Sequence, residues 1–373
     1  LKILLVRLRL IGDVVFTTPV IRALRRQYPD AHLAYVVEPP AAPVLRNNPH
    51  LDELIVAPRR SGAARLRDDL RLARQLRRAR FDVAIDLHGG PRSAWLTWGS
   101  RAPRRIGYTI VGRSWMYTDA IPRDRQLTPR HSVMNQWDLL APLGIPALDP
   151  ARDPVHMPDD ERAQERVDAL LAAAGVSGQS LVVIHVSAST RFKRWPEESF
   201  VALVVALIRQ DESRRVFLTS GPCDVPAAQR IADAARERLG PQAKAVLEGR
   251  PLHLTDLRAL IARASVFVGG DSGPLHIPAT TPVPIVEILG PTLAERSFPW
   301  RDPGWFTEIL DPGALPCRPC HQRTCVPGDF RCLTSIGAER VIAAAERALR
   351  STPRADHQTT PGSNERRIPV VQG

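Results

Sequence analysis

The stretch RLRLIGDVVFTTPVIRALRRQY, residues 7–28, puts an aspartate directly behind a glycine where a strand-like apolar run gives way to a helical pattern. A carboxylate at such a hinge can take the proton from a hydroxyl as that oxygen attacks, or it can cap a helix by accepting free backbone amides. Asp13 is open to both readings. A second stretch, ASVFVGGDSGPLHIPATTPVPIVEILGPT at 264–292, runs an apolar strand into Gly269, Gly270, Asp271, Ser272 and Gly273. Glycines at a strand end let backbone amides close on an anion, and a helix starting there adds the positive end of its dipole. The pattern suits a diphosphate cradle; a tight turn capped by Asp271 or Ser272 is the plainer alternative. The three spaced glycines of the dinucleotide fingerprint are missing, which disfavours a nicotinamide cofactor.

SASTRFKRWPEESF, at 187–200, follows another strand with the hydroxyl residues Ser187, Ser189 and Thr190, then Lys193, then Trp195 and Pro196 opening a helix. Lysine offers phosphate a compact point charge, and Arg191 and Arg194 can clamp it through paired bonds. A solvated basic loop is the alternative. Cys317, Cys320, Cys325 and Cys332 are spaced C-x2-C-x4-C-x6-C. As thiolates they could hold a structural zinc or iron, with no coordination position left for catalysis.

Positioning such groups is the work of the elements around them. Short apolar runs (LKILLV, HLAYVV, LIVA, DVAIDL, LVVIHV) alternate with helical patterns throughout, which predicts an α/β chain with parallel sheets covered on both faces. At 373 residues the chain exceeds the roughly 250–300 at which single cores stop growing. PALDPARDPVHMPDD interrupts the alternation, so we expect one doubly wound domain over 1–150 and a second over 151–350, with ligands in a crevice at the carboxyl ends of the strands. The polar tail, 351–373, is expected to be disordered.

The formal charge of +12 and pI near 10.4 call for an anionic partner. Arginine supplies almost all of it, since lysine occurs only at Lys2, Lys193 and Lys244. No nucleic-acid motif or aromatic stacking stripe accompanies the charge, which argues against nucleic acid. The longest apolar candidate, FVALVVALI at 200–208, is about half the length of a membrane span. The start of the chain lacks a signal-peptide layout, so the expected location is cytoplasmic, with contact at the inner membrane surface.

The segments LVRLRLIGDVVFTTPVIRALRRQYP, FDVAIDLHGGPRSAWLTWGSRAPRRIGY, STRFKRWPEESF, VGGDSGPLHIPATTPVPIVEILGPT and RCLTSIGAERVIAAAERAL resemble glycosyltransferase family 9, the group of the ADP-heptose lipopolysaccharide heptosyltransferases. The resemblance implies a GT-B fold of two Rossmann-like domains facing a cleft. It also implies inverting, metal-independent transfer of heptose from an ADP-activated donor to the lipopolysaccharide inner core, a lipid A–Kdo type of anionic glycolipid. By this resemblance Asp13 is the catalytic base. Lys193, Asp271, Ser272, Gly273, Pro274 and His276 serve the donor phosphates, as do Ser187, Ser189 and Thr190, with Asp224 near the nucleotide ribose. Gly12 and Arg92 lie on the acceptor side. Ser187, Pro278 and Pro282 depart from the usual pattern, and the prolines are expected to shift the helix behind the phosphate loop. Another donor sugar or a protein acceptor is an alternative within the family; a catalytically silent nucleotide- or glycolipid-binding scaffold is one outside it.

Overall fold

The structure is a computed structural model that describes residues 1–123, 129–187, 190–249, 251–351 and 370–372. Its contacts divide the chain into two compact units, one formed by Leu1–Pro158 with the C-terminal strand, the other beginning at Asp159 and including the long helix that ends at Ser351.

In the first unit the strands are β1 (Lys2–Val6), β2 (His32–Val37), β3 (Glu53–Val56), β4 (Val83–Asp86), β5 (Arg104–Tyr108) and β6 (Asp119–Ile121). They pair in the order β3-β2-β1-β4-β5-β6, all parallel. The helices α1 (Ile11–Val15), α2 (Thr18–Gln27), α3 (Gly62–Ala79) and α4 (Pro91–Gly99) lie between them, and α5 (Ser132–Trp137) follows β6. β1 and β2 are buried along nearly their whole length rather than at alternate residues, because a parallel strand covered on both faces must be apolar throughout.

The second unit repeats the plan with β7 (Leu181–His185), β8 (Arg215–Thr219), β9 (Val246–Glu248), β10 (Val266–Gly270), β11 (Ile285–Ile288) and β12 (Thr307–Leu310). The order is β12-β11-β10-β7-β8-β9, again parallel. Its helices are α6 (Glu161–Ala173), α7 (Glu197–Gln210), α8 (Val225–Leu239), α9 (Leu254–Ala262), α10 (Ala294–Ser297), α11 (Arg331–Thr334) and α12 (Ala338–Ser351). α7 is anchored at its start by Trp195, which is buried, packs edge-on to Phe200 at 4.8 Å and donates its indole N–H to the Ile336 carbonyl at 2.8 Å. In each sheet the chain reverses its winding direction between the first and fourth strands, β1/β4 and β7/β10. That reversal opens the strand ends there to a ligand.

Two expectations need correction. The tail is not wholly without structure: β13 (Val370–Gln372) adds parallel to β3, with Val370 opposite Leu54. β3 is otherwise the sheet's edge and offers unpaired backbone groups to such a strand. Nor does an α-helix follow β10. Gly273–His276 and Pro278–Thr280 are tight 3₁₀ turns, with the Ile277 amide bonded to the Pro274 carbonyl at 3.0 Å. A proline inside a helix has no N–H to give and clashes with the preceding turn, so Pro278 stops the α-helix there. The macrodipole expected at this loop is therefore absent.

Candidate functional site

Two clusters of polar side chains stand at the two reversals, one in each unit. In the first, Gly12 and Asp13 lie in α1, one short loop beyond β1. Asp13 is the third residue of that helix, and its carboxylate closes a capping box by accepting the amide of the N-cap residue Leu10. Its Oδ2 meets the Arg7 guanidinium at 2.6 Å and the Leu10 amide at a long 3.5 Å, and the side chain is 31% exposed. Arg7 is buried and donates further to the Leu87 carbonyl at 2.6 Å and the Arg9 carbonyl at 3.0 Å. The cation is thus held from several sides, and the carboxylate is aimed by a fixed partner while part of it still reaches solvent.

Beside it stands His88, from the turn after β4. Burial, helped by the charges of Arg7, Arg9 and Arg123, brings its pKa down to about 4, so it is neutral at neutral pH. The turn is shaped by Asp86, buried at the end of β4. Asp86 accepts the amides of His88 and Gly89 at 2.9 Å each, the Ser93 hydroxyl at 3.1 Å and the Tyr117 hydroxyl at 2.7 Å. Arg7, Asp86 and His88 were not singled out from sequence, although all three lie inside the quoted segments.

Arg92, expected as an acceptor contact, is engaged by internal partners. Its side chain is 9% exposed and its donors go to Asp69 at 2.6 and 2.9 Å, Glu38 at 2.7 Å and the Pro58 carbonyl at 2.9 Å. Through these contacts Arg92 ties α4 to α3 and to the loops after β2 and β3.

In the second unit, the segment after β7 carries Ser187, Thr190 and Lys193; Ser189 lies outside the described residues. Lys193 Nζ is 2.6 Å from Asp271 Oδ2, and that same oxygen accepts the Thr292 hydroxyl at 2.5 Å. Asp271 is buried, yet its carboxyl pKa is lowered: burial alone would raise it, and the Lys193 charge and hydrogen bond, with Thr292 and His276, more than offset that.

Gly273 and Pro274 form the first 3₁₀ turn with His276, which is buried beside Asp271. The buried Ser272 hydroxyl has no hydrogen-bond partner among the described residues. Thr190 is exposed, and its carbonyl accepts the Lys193 amide at 3.1 Å. Asp224 precedes α8 but does not cap it through its side chain. It accepts the Ser187 hydroxyl at 2.5 Å and pairs with Arg194 at 2.7 Å.

His185, at the end of β7, is buried with Nδ1 3.0 Å from the Thr219 hydroxyl, and burial brings its pKa down to about 4. The unfolded chain, where histidine keeps its ordinary value, therefore binds the extra proton between about pH 6.5 and 4, and stability falls on acidification through that window. The full shift corresponds to about 3 kcal/mol as an upper bound. Urea unfolding at pH 7 and 4.5 checks this: the acid loss shrinks in His185→Gln, and an unchanged loss contradicts the assignment.

The four cysteines line one pocket with Phe192, Phe330 and Arg331. Among the described residues no group of three or more His, Cys, Asp or Glu side chains is placed to hold a metal ion. Burial and its three cysteine neighbours push the Cys332 thiol up. The loop braces the segment after β11: Arg318 donates to the Thr292 carbonyl at 2.6 Å and Gln322 to the Thr292 hydroxyl at 3.4 Å.

Two Rossmann-order sheets, one ending in a glycine-rich loop with a tethered lysine, have the architecture of the GT-B class. The profile of "Glycosyltransferase family 9 (heptosyltransferase)" matches residues 69–329, and the chain belongs to this family. It is 29% identical over 354 residues to lipopolysaccharide heptosyltransferase 3 of Escherichia coli, covering 92% of this chain and 98% of that one. In fold it is similar to a glycosyl transferase family 9 structure from Veillonella parvula (TM-score 0.79, 24% identity, 93% and 97% covered). It is also similar to E. coli ADP-heptose lps heptosyltransferase II (TM-score 0.74, 21% identity, 94% and 98% covered).

Proposed function

We propose that this enzyme transfers heptose from ADP-heptose to a Kdo or heptose hydroxyl of a lipopolysaccharide inner core, with inversion and without a catalytic metal. The observation that carries the reading is Lys193, a rare lysine in this chain, held by Asp271 at the end of β10 where a diphosphate would meet it. Asp13 takes the proton of the attacking acceptor hydroxyl, and Arg7 orients it. As the sugar–phosphate bond breaks, charge grows on ADP, and a cation already in position lowers the barrier when it binds that charge more tightly than the ground state. Ser272 and the Gly273 backbone add donors to the phosphates, and Asp224 stands near the ribose. Lys193 supplies the positive charge that a metal provides in other transferases.

Direct inversion follows from a single displacement: the acceptor oxygen forms its bond to the anomeric carbon as the diphosphate leaves from the opposite side, and Asp13 keeps the proton. Incubation with a panel of nucleotide sugars tests the donor. ADP-heptose is expected to be consumed and the product linkage to be inverted by NMR; consumption of a different nucleotide sugar in preference would overturn the donor assignment.

The enzyme is proposed to work at the cytoplasmic face of the inner membrane, bound peripherally. The supporting surface is α3, where Leu66 and Leu70 are exposed one turn apart among Arg65, Arg67, Arg71, Arg74, Arg77 and Arg78. Its own acids, Asp68 and Asp69, are already paired with arginines. Such a face suits phosphorylated headgroups and anionic lipid. Sedimentation with phosphatidylglycerol-containing vesicles is expected to capture the protein at 50 mM salt, with a several-fold loss at 300 mM or in Arg67→Glu/Arg74→Glu. Equal capture by neutral vesicles contradicts this.

A further inference from the structure

Glu287 is the fully buried acid of β11, with both carboxyl oxygens unpartnered among the described residues. It lies opposite Gly269 of the parallel neighbour β10, and Asp271 comes two residues after Gly269. Asp271 stands one residue beyond the end of β10, the strand that pairs with Glu287's own, and its charge acts on the Glu287 carboxyl. Burial, reinforced by the Asp271 charge and only partly opposed by Lys193, pushes the Glu287 carboxyl well above the usual carboxylate range. Fully buried with neither oxygen hydrogen-bonded, the Glu287 carboxyl is favoured in its neutral, protonated form, whereas Asp271 is held as an anion by Lys193.

Asp271 depends on Lys193 for its counter-charge. A diphosphate drawing Lys193 toward itself would leave a buried carboxylate with the Thr292 hydroxyl at 2.5 Å, and such a group is costly without compensation. A carboxylic acid one strand away can supply that compensation, because it has an O–H to donate and no role elsewhere in the described hydrogen bonds.

We propose that Glu287 is a positioning residue for donor binding: it holds a proton in reserve and donates a hydrogen bond to Asp271 when the diphosphate takes Lys193, easing release of the cation to the ligand. The proton remains on Glu287, and no covalent bond is made or broken. This rests on the reading of Lys193 as the diphosphate ligand.

ADP titration by calorimetry on the full chain tests it with three variants. Glu287→Leu, of similar volume and without a donor, is expected to weaken ADP at least tenfold while its melting temperature stays level or rises, since a buried unsatisfied group is gone. Glu287→Gln keeps an N–H to offer Asp271 and is expected to rescue affinity to within about twofold of wild type. Undiminished affinity in Glu287→Leu overturns the proposal by making the acid a spectator. Equal weakening in Glu287→Gln also overturns it, because the carboxyl would then act through negative charge. Lys193→Met tests the underlying reading separately: it is expected to bind ADP weakly, and wild-type affinity there removes Lys193 from the diphosphate site and the reserve role with it.

Discussion

Asp13→Asn is expected to lower kcat for sugar transfer by roughly a hundred- to ten-thousand-fold, the usual contribution of a positioned general base, with ADP affinity unchanged. The amide has nearly the shape of the carboxylate but cannot take the acceptor's proton. Because Asp13 also pairs with the buried Arg7, the substitution leaves that cation less well matched and costs stability, by about 1–3 kcal/mol for a charged hydrogen bond of this kind. The two effects separate experimentally: kcat is read on the folded fraction, and donor affinity reports whether the second unit is intact. Normal turnover in the variant would reduce Asp13 to an orienting partner of Arg7.

Lys193→Met is expected to lower kcat/KM for the donor by about a hundred- to a thousandfold, the range for removing one donor to a developing oxyanion. Its structural consequence is equally definite. Asp271 is left buried without its cation, and breaking a buried pair from one side costs about 3–5 kcal/mol. Lys193→Met/Asp271→Asn removes the orphaned charge, so the pair of substitutions should recover much of the stability while activity stays low. A double variant that recovers activity as well would mean that Lys193 serves Asp271 alone. The comparison is a double-mutant cycle, appropriate because the two groups touch.

The central strands were legible because a parallel strand buried on both faces reads as an unbroken apolar run, as in LVVIHV and HLAYVV. The peripheral ones were not. RRIGY, DAI, VLE and TEIL are strands of three to five residues carrying charged or small side chains, and their pairing is decided by neighbours distant in sequence. The 3₁₀ turns after β10 were half-legible: Pro278 and Pro282 stood out, but replacement of the helix by tight turns depends on how the backbone satisfies its remaining amides. The strand β13 was hidden because a short β-branched run becomes a strand only where an edge such as β3 is there to receive it.

The candidate site shows the same division. Glycines, a rare lysine and an aspartate behind a glycine are visible as residue types, since each has few uses at a strand end. Their pairing is not visible. Lys193 and Asp271 are 78 residues apart (271 − 193), and Arg92 looked available until Glu38, Asp69 and the Pro58 carbonyl closed around it. The spacing of four cysteines likewise states which thiols are close, and the fold decides whether they converge on an ion or line a pocket beside Thr292.

The most direct measurement is ADP release by the purified protein given ADP-heptose, without acceptor and with either Kdo–lipid A or the same core already carrying heptose, followed by mass spectrometry of the acceptor. The account predicts release that depends on the acceptor and a product heavier by one heptose. ADP-heptose left intact with both acceptors, or ADP released with no sugar on either, would contradict it.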